Sequence, residues 1–255
     1  MKRPVLGYQL DTDAATACVD DIFRTIAPPS ESAPTAARWL ACLNPHSYCV
    51  ALDDEPFARA LHSATWLIPD GIGVVWASRA LGHPVAERVT GYDIFVGLLQ
   101  RMQDAGGGSV FLLGSTDRTL ELIGARLGRE YPRVTICGAY APPYAASFSA
   151  KENERIANRV NAARPDILFV GLSAPKQEKW IHQMRGHLQT PFIAAIGAVF
   201  DFYGGNIKRS SPVFQQLGLE WLPRLLQEPR RLWRRTFVSA PRFAWAVLQA
   251  RLRRS

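Results

Sequence analysis

Between Asp166 and Asn206 two apolar runs, Ile167 to Val170 and Phe192 to Ile196, have the length and β-branched content of buried strands, and a helix-compatible run carrying Lys176, Gln177, Glu178 and Trp180 separates them. Strands joined in this way are parallel. Each run ends at a glycine, Gly171 and Gly197, and polar residues follow at once, so Gln177 and Asp201 fall just beyond the carboxyl ends of neighbouring strands. Ligands of open α/β sheets bind there. A plainer reading stands beside this one: Gly171 and Pro175 turn the chain, Glu178 and Lys179 face water, and Asp201 caps a helix.

The remaining chain extends the same alternation. Val5 to Leu10 predicts a first strand, with Asp11 or Asp13 capping a helix that ends near Ile26. Asp11-Thr12-Asp13 has the form of a metal-holding DxD, but it precedes a helical pattern instead of ending a strand, so capping is the better account. Residues 28 to 34 read as a loop. Arg38 to Leu43, Ala64 to Ile68, Ser109 to Leu113 and Val134 to Cys137 predict strands. Helices are predicted over Ser47 to Leu52, Val74 to Leu81, Asp93 to Gln103, Thr119 to Arg129 and Ser149 to Ala163. Asp70, in Pro69-Asp70-Gly71-Ile72-Gly73, sits where an open sheet places its chemistry, beside glycines that let a substrate approach the backbone; the alternative is an N-cap. Gly114-Ser115-Thr116 leads into a helix whose free amides suit a phosphate, a generic signal and not a dinucleotide fingerprint. The Gly138 to Tyr144 loop packs on a base or covers the core.

Composition limits the classes. With 255 residues, 47% of them hydrophobic, the chain suffices for one large α/β domain plus an appendage. Four cysteines without CxxC spacing and five scattered histidines suggest neither a disulfide framework nor a zinc site, which fits a reducing cytoplasm. No stretch approaches the roughly 18 apolar residues that span a bilayer, and the start lacks a leader pattern. From Gln216 to Ser255 there are nine arginines against two glutamates, so +7 of the chain's +8 lies in the tail. Trp221, Trp233 and Trp245 are interleaved with those arginines, a mix suited to a membrane interface. A packed helix or a nucleic-acid arm is the alternative for the tail.

GLSAPKQEKW followed by GAVFDFYGG, together with GLEWLPRLLQEPRRLWRR, resembles the paired signature and C-terminal appendage of the WecG/TagA/CpsF glycosyltransferases, and the resemblance runs from about Leu43 to Arg235. That resemblance implies a sugar passing from a UDP-sugar to a polyprenyl-diphosphate-linked saccharide. It implies Asp70 as general base and Arg88, in Glu87-Arg88-Val89-Thr90-Gly91, as an active-site cation, though a salt bridge of Arg88 with Glu87 or Asp93 is the plainer alternative. The family's Thr-x-Asn pattern is Cys42-Leu43-Asn44 here; Asn44 matches, whereas the Cys42 thiol is a far weaker donor than a hydroxyl. Asn44 also reads as an Asx-type turn before Pro45. By the same resemblance Gln177 orients the sugar, Asp201 contacts the nucleoside, and Arg224, Arg231 and Arg234 hold the diphosphate.

The expected fold is therefore α/β, a Rossmann-like, largely parallel sheet flanked by helices, with a catalytic domain over 1–207 and an Arg/Trp-rich helical appendage over 208–255. The expected activity is inverting glycosyl transfer without metal or cofactor. Expected partners are the UDP-sugar, the lipid-linked acceptor and an anionic membrane surface on the inner face of the cell membrane, and not nucleic acid; a homo-oligomer stays open. A non-catalytic nucleotide- or nucleic-acid-binding protein is the competing reading, and it leaves Asp70 unexplained.

Overall fold

The computed structural model describes residues 1–26, 36–206 and 233–253, without the side chains of residues 234 and 235. Its centre is a six-stranded, all-parallel sheet in the order β4-β3-β8-β7-β5-β6. In chain order these strands are β3 (Arg38–Leu43), β4 (Trp66–Pro69), β5 (Gly108–Gly114), β6 (Val134–Tyr140), β7 (Ile167–Gly171) and β8 (Phe192–Ala195). β7 and β8 are hydrogen-bonded neighbours, as the βαβ reading requires.

Strand side chains alternate between faces, and the two faces feed separate cores. Trp39, Ala41 and Leu43 of β3, with Leu168 and Val170 of β7, join one cluster; Leu40, Ile167 and Phe169 join the other. Helices cover both faces, which is why these strands are nearly continuous apolar runs. The first face is covered by α2 (Pro45–Asp53), α3 (Glu55–His62), α4 (Ile72–Ala80), α7 (Ala150–Ala163) and α8 (Lys176–Met184), through Tyr48, Phe57, Val74, Ile156 and Ile181. The second is covered by α1 (Ala15–Ile26), α5 (Gly91–Asp104), α6 (Asp117–Glu130) and the short α9 (Val199–Tyr203), through Ile22, Phe95, Ile123 and Phe200.

The N-terminus differs from its sequence reading. Instead of one strand over Val5 to Leu10, β1 (Lys2–Val5) and β2 (Tyr8–Asp11) form an antiparallel hairpin. Its two turn residues, Leu6 and Gly7, both have positive φ (50° and 87°), the conformation of a tight hairpin turn. Neither Asp11 nor Asp13 caps α1. The Asp11 carboxylate accepts from the Leu67 amide at 2.7 Å, tying β2 to β4, while Asp13 pairs with the N-terminal ammonium. Glu87 Oε1 takes the Ala15 amide at 2.8 Å instead, so the start of α1 is satisfied from a distant loop.

The tail returns to the domain. A π-helical turn (Arg234–Ser239) leads into α10 (Ala240–Leu252), with Pro241 in its first turn. Phe243 is 5% exposed and packs edge-on against Tyr48, 5.4 Å between ring centroids. Two polar contacts join the same surfaces: His46 Nδ1 with Ser239 Oγ at 2.8 Å, and the Arg242 guanidinium with both oxygens of Asp53. Among the described residues no helix is long and apolar enough to cross a membrane.

Candidate active site

The carboxyl ends of the six strands open into one cleft of about 1480 Å³, larger than the ~300–1,000 Å³ of a typical small-molecule site and roomy enough for two substrates. β4 and β3 run in register up to Leu43 opposite Pro69. Beyond that point the Asp70 amide donates to the Leu43 carbonyl at 2.8 Å, which places Asp70 beside Asn44 at the cleft wall. The cap of α4 is Gly71, at φ 101° and without a side-chain cap bond, so Asp70 does not serve as the cap that its position suggested. Asn44 does cap: its Oδ1 accepts from the amides of His46 and Ser47, and the Ser47 hydroxyl accepts from the Asn44 amide. The turn and cleft-wall readings of Asn44 coexist, because it lines the cleft while its oxygen is spent on α2.

Cys42, half-buried at the end of β3, also lines the cleft, and its Sγ makes a long bond to the Ala195 carbonyl at 3.8 Å. Burial pushes its thiol well above the ordinary range, and the nearby Asp70 and Glu178 carboxyls add to the shift, so Cys42 stays protonated near neutral pH.

On β7 and β8 the first turn of α8 is folded under the cleft. Gln177 and Glu178 are 4% and 2% exposed, so Glu178 does not face water as the plain sequence reading had it; Lys179 turns away into an ion pair with Asp54. Gln177 Oε1 accepts from the Gly197 amide at 3.1 Å, and its Nε2 donates to Glu178 Oε1 at 2.8 Å. The carboxyl ends of neighbouring strands are thereby bridged by one side chain. Asp201, in the first turn of α9, lines the same cleft and takes a 3.5 Å bond from the Ser115 hydroxyl.

On the β5 side Ser115, Thr116 and Asp117 form the wall, whereas Gly114 itself is buried against β7: a Cβ there would stand 2.5 Å from the Gly171 carbonyl oxygen. The positive end of α6 is already occupied by the Thr116 cap and the Asp117 carboxylate. The 141–148 loop closes the side above β6. Lys176 holds it, with Nζ donating to the Ala145 carbonyl and lying 3.6 Å from the Phe148 ring centroid.

A family model for the WecG/TagA/CpsF glycosyl transferases matches residues 3–255. The chain belongs to this family. It is 34% identical over 211 residues to the N-acetylglucosaminyldiphosphoundecaprenol N-acetyl-beta-D-mannosaminyltransferase of Bacillus spizizenii, covering 83% of this chain and 79% of that one. The protein of the same name from Bacillus subtilis is 32% identical over 82% of this chain and 78% of its own. That of Staphylococcus aureus strain MW2 is 26% identical over 98% of this chain and 93% of its own.

For this WecG/TagA/CpsF member, the cleft brings together Cys42, Asn44, Asp70, Gln177 and Asp201 from four strand ends. Arg88 is half-buried in the segment between α4 and α5 and is not part of the cleft wall among the described residues. Glu87 accepts from the Ala15 amide, and Asp93 bonds Thr90 in the capping box of α5. Arg224 and Arg231 lie outside the described residues, as does the side chain of Arg234. The DxD-like pair is spent on the Leu67 amide and the N-terminal ammonium, and no cluster of three metal-ligating side chains occurs among the described residues. Glu178 is the site residue that sequence reasoning passed over. Its signal was its place, one residue after Gln177 in a helix joined to a strand end by a short loop.

Proposed function

We propose that this protein transfers an N-acetylhexosamine or hexose, with inversion, from a UDP-sugar to a polyprenyl-diphosphate-linked saccharide in the assembly of a bacterial surface polysaccharide. The observation that carries the reading is the position of Asp70, a carboxylate at a strand's carboxyl end in a cleft it shares with Asn44, Gln177 and Asp201. The relatives' names support the substrate class: they add a β-linked mannosaminyl group to a diphosphoundecaprenol-linked sugar. From an α-linked nucleotide sugar a β product requires a single displacement.

In that step Asp70 accepts the proton of the acceptor hydroxyl as the hydroxyl oxygen attacks the anomeric carbon. The bond from that carbon to the UDP oxygen breaks, and its electron pair leaves with UDP. Asp201 contacts the nucleoside, Arg88 adds positive charge from the segment between α4 and α5, outside the cleft wall, and Arg224, Arg231 and Arg234 meet the diphosphate. The N-terminus of α8, which has no side-chain cap, and Lys176 at its first residue add positive potential on the same wall. No step in this scheme needs a metal ion. The tail docks on an anionic leaflet at the cytoplasmic face, where its arginines contribute about 1 kcal/mol each.

The test is direct. Purified protein in buffer containing EDTA, given UDP-N-acetylmannosamine and polyprenyl-diphosphate-linked N-acetylglucosamine, should release UDP and yield a lipid heavier by one N-acetylhexosamine in the mass spectrum. Failure to transfer from any of a panel of UDP-hexoses and UDP-N-acetylhexosamines, with or without Mg²⁺, overturns the reading.

A further inference from the structure

Glu178 contributes to the cleft wall while only 2% exposed, and its two carboxyl oxygens are treated unequally. Oε1 accepts from Gln177 Nε2; Oε2 has no hydrogen-bond partner among the described residues. A buried polar atom left unpaired is costly, so an orphan at the edge of a ligand cleft marks a place where something else completes the bonding. Gln177 fixes the position of Glu178, since its Oε1 holds the Gly197 amide and its Nε2 donates to Glu178 Oε1.

We propose that Glu178 is a donor-binding residue whose Oε2 hydrogen-bonds an oxygen of the transferred sugar, with Gln177 positioning it. The inference rests on the glycosyl-transfer reading above. The last torsion of a glutamate side chain is soft, so a small rotation turns Oε2 toward a ligand in the cleft without moving α8. Burial pushes this carboxyl up to about 7, with the Gln177 bond acting against the shift, so near neutral pH much of it is the acid. The proton belongs on Oε2, because Oε1 already accepts; the residue is then a donor matched to a carbonyl or hydroxyl oxygen. The titratable groups around it are Cys42 at the end of β3, Asp70 beyond β4 and Asp201 on α9, with Lys176 held over Phe148 and Lys179 drawn off to Asp54. A sugar oxygen bonded to Glu178 lies on the Cys42 and Asp70 side of the cleft, where the attack on the anomeric carbon takes place.

Isothermal titration calorimetry of the full chain with UDP-N-acetylmannosamine and with UDP, from pH 6 to 9, tests this. For wild type, affinity for the sugar nucleotide should fall about tenfold between pH 7 and 9, while affinity for UDP should not follow it. Glu178→Leu should lose about tenfold for the sugar nucleotide at pH 6.5 and stay within about twofold for UDP. Glu178→Gln, which keeps a donor and the shape, should bind the sugar nucleotide well at every pH and guards against a folding defect in the leucine variant. Unchanged sugar-nucleotide affinity in Glu178→Leu, or loss of UDP and sugar nucleotide affinity together in both variants, overturns the assignment and leaves the transfer reading intact. Wild-type protein that binds neither ligand overturns both.

Discussion

Gln177 donates its Nε2 to Glu178 Oε1 at 2.8 Å, and this is the one hydrogen bond that the buried Glu178 carboxyl receives from another side chain among the described residues. The consequence for stability follows from the sign of the shift. Glu178 ionises at about 7 in the folded chain, above its ordinary value of 4.5, so between those limits the folded state holds the proton more tightly than the unfolded state. Stability should therefore fall as pH rises from about 4.5 to 7, by up to about 3 kcal/mol from this group. Glu178→Gln removes that slope. Urea denaturation of both proteins at pH 5 and pH 8 should show the variant gaining on wild type at the higher pH; parallel curves would contradict the shift.

The second prediction concerns Gly171. A Cβ there would stand 2.2 Å from Phe200 Cδ2, and Phe200 is 1% exposed with no room to withdraw. Gly171→Ala should lose about 1–3 kcal/mol through overpacking. It should also displace α9 and with it Asp201. Gly186→Ala meets nothing within 4 Å and should stay within about 0.5 kcal/mol of wild type in the same denaturation series. Equal effects at the two positions would contradict the packing account.

Attachment of α10 should depend on Phe243 more than on its ion pair. Arg242 and Asp53 are 43% and 64% exposed, so Asp53→Ala should cost at most about 1 kcal/mol. Phe243→Ala empties a buried site against Tyr48 and should cost about 3–5 kcal/mol of local stability. Hydrogen exchange over residues 240–252 reads this directly: much faster exchange in Phe243→Ala and little change in Asp53→Ala is the expected pattern.

Much of this was legible in the letters and some was not, for reasons that particular residues make plain. β3 falls where Arg38 to Leu43 placed it, and β5, β7 and β8 differ by a residue or two, because buried parallel strands leave unbroken apolar runs bounded by glycines. The N-terminal hairpin was hidden since Leu6, a residue that rarely takes positive φ, fills a turn position usually signalled by asparagine or aspartate. α3 was not anticipated, although Asp54 caps it, Pro56 stands in its first turn, and its Phe57 and Leu61 are buried. Glu178 was misjudged for a different reason. Helical spacing says which residues share a face, but not that the first turn of α8 tucks beneath the ends of β7 and β8.

The fourth prediction concerns the surface left by α10. Trp245, Leu248 and Leu252 recur at helical spacing and are 59%, 46% and 66% exposed; Trp233, 58% exposed, packs tilted against Phe237 with ring centroids 4.3 Å apart. If this face meets lipid, replacing Trp233, Trp245 and Leu248 together by alanine should cut sedimentation with anionic phosphatidylglycerol vesicles several-fold, without lowering the melting temperature, since exposed side chains contribute little to folding. Undiminished sedimentation would contradict a membrane-facing role.

The central claim is that Asp70 takes the proton of the acceptor hydroxyl. Asp70→Asn keeps the shape of the side chain and the backbone hydrogen bond that residue 70 donates to the Leu43 carbonyl while removing the base. In a steady-state transfer assay at saturating donor and acceptor, the account predicts kcat lower by about 10²- to 10⁴-fold with UDP affinity unchanged by calorimetry. Transfer by Asp70→Asn within a few-fold of wild type would contradict it.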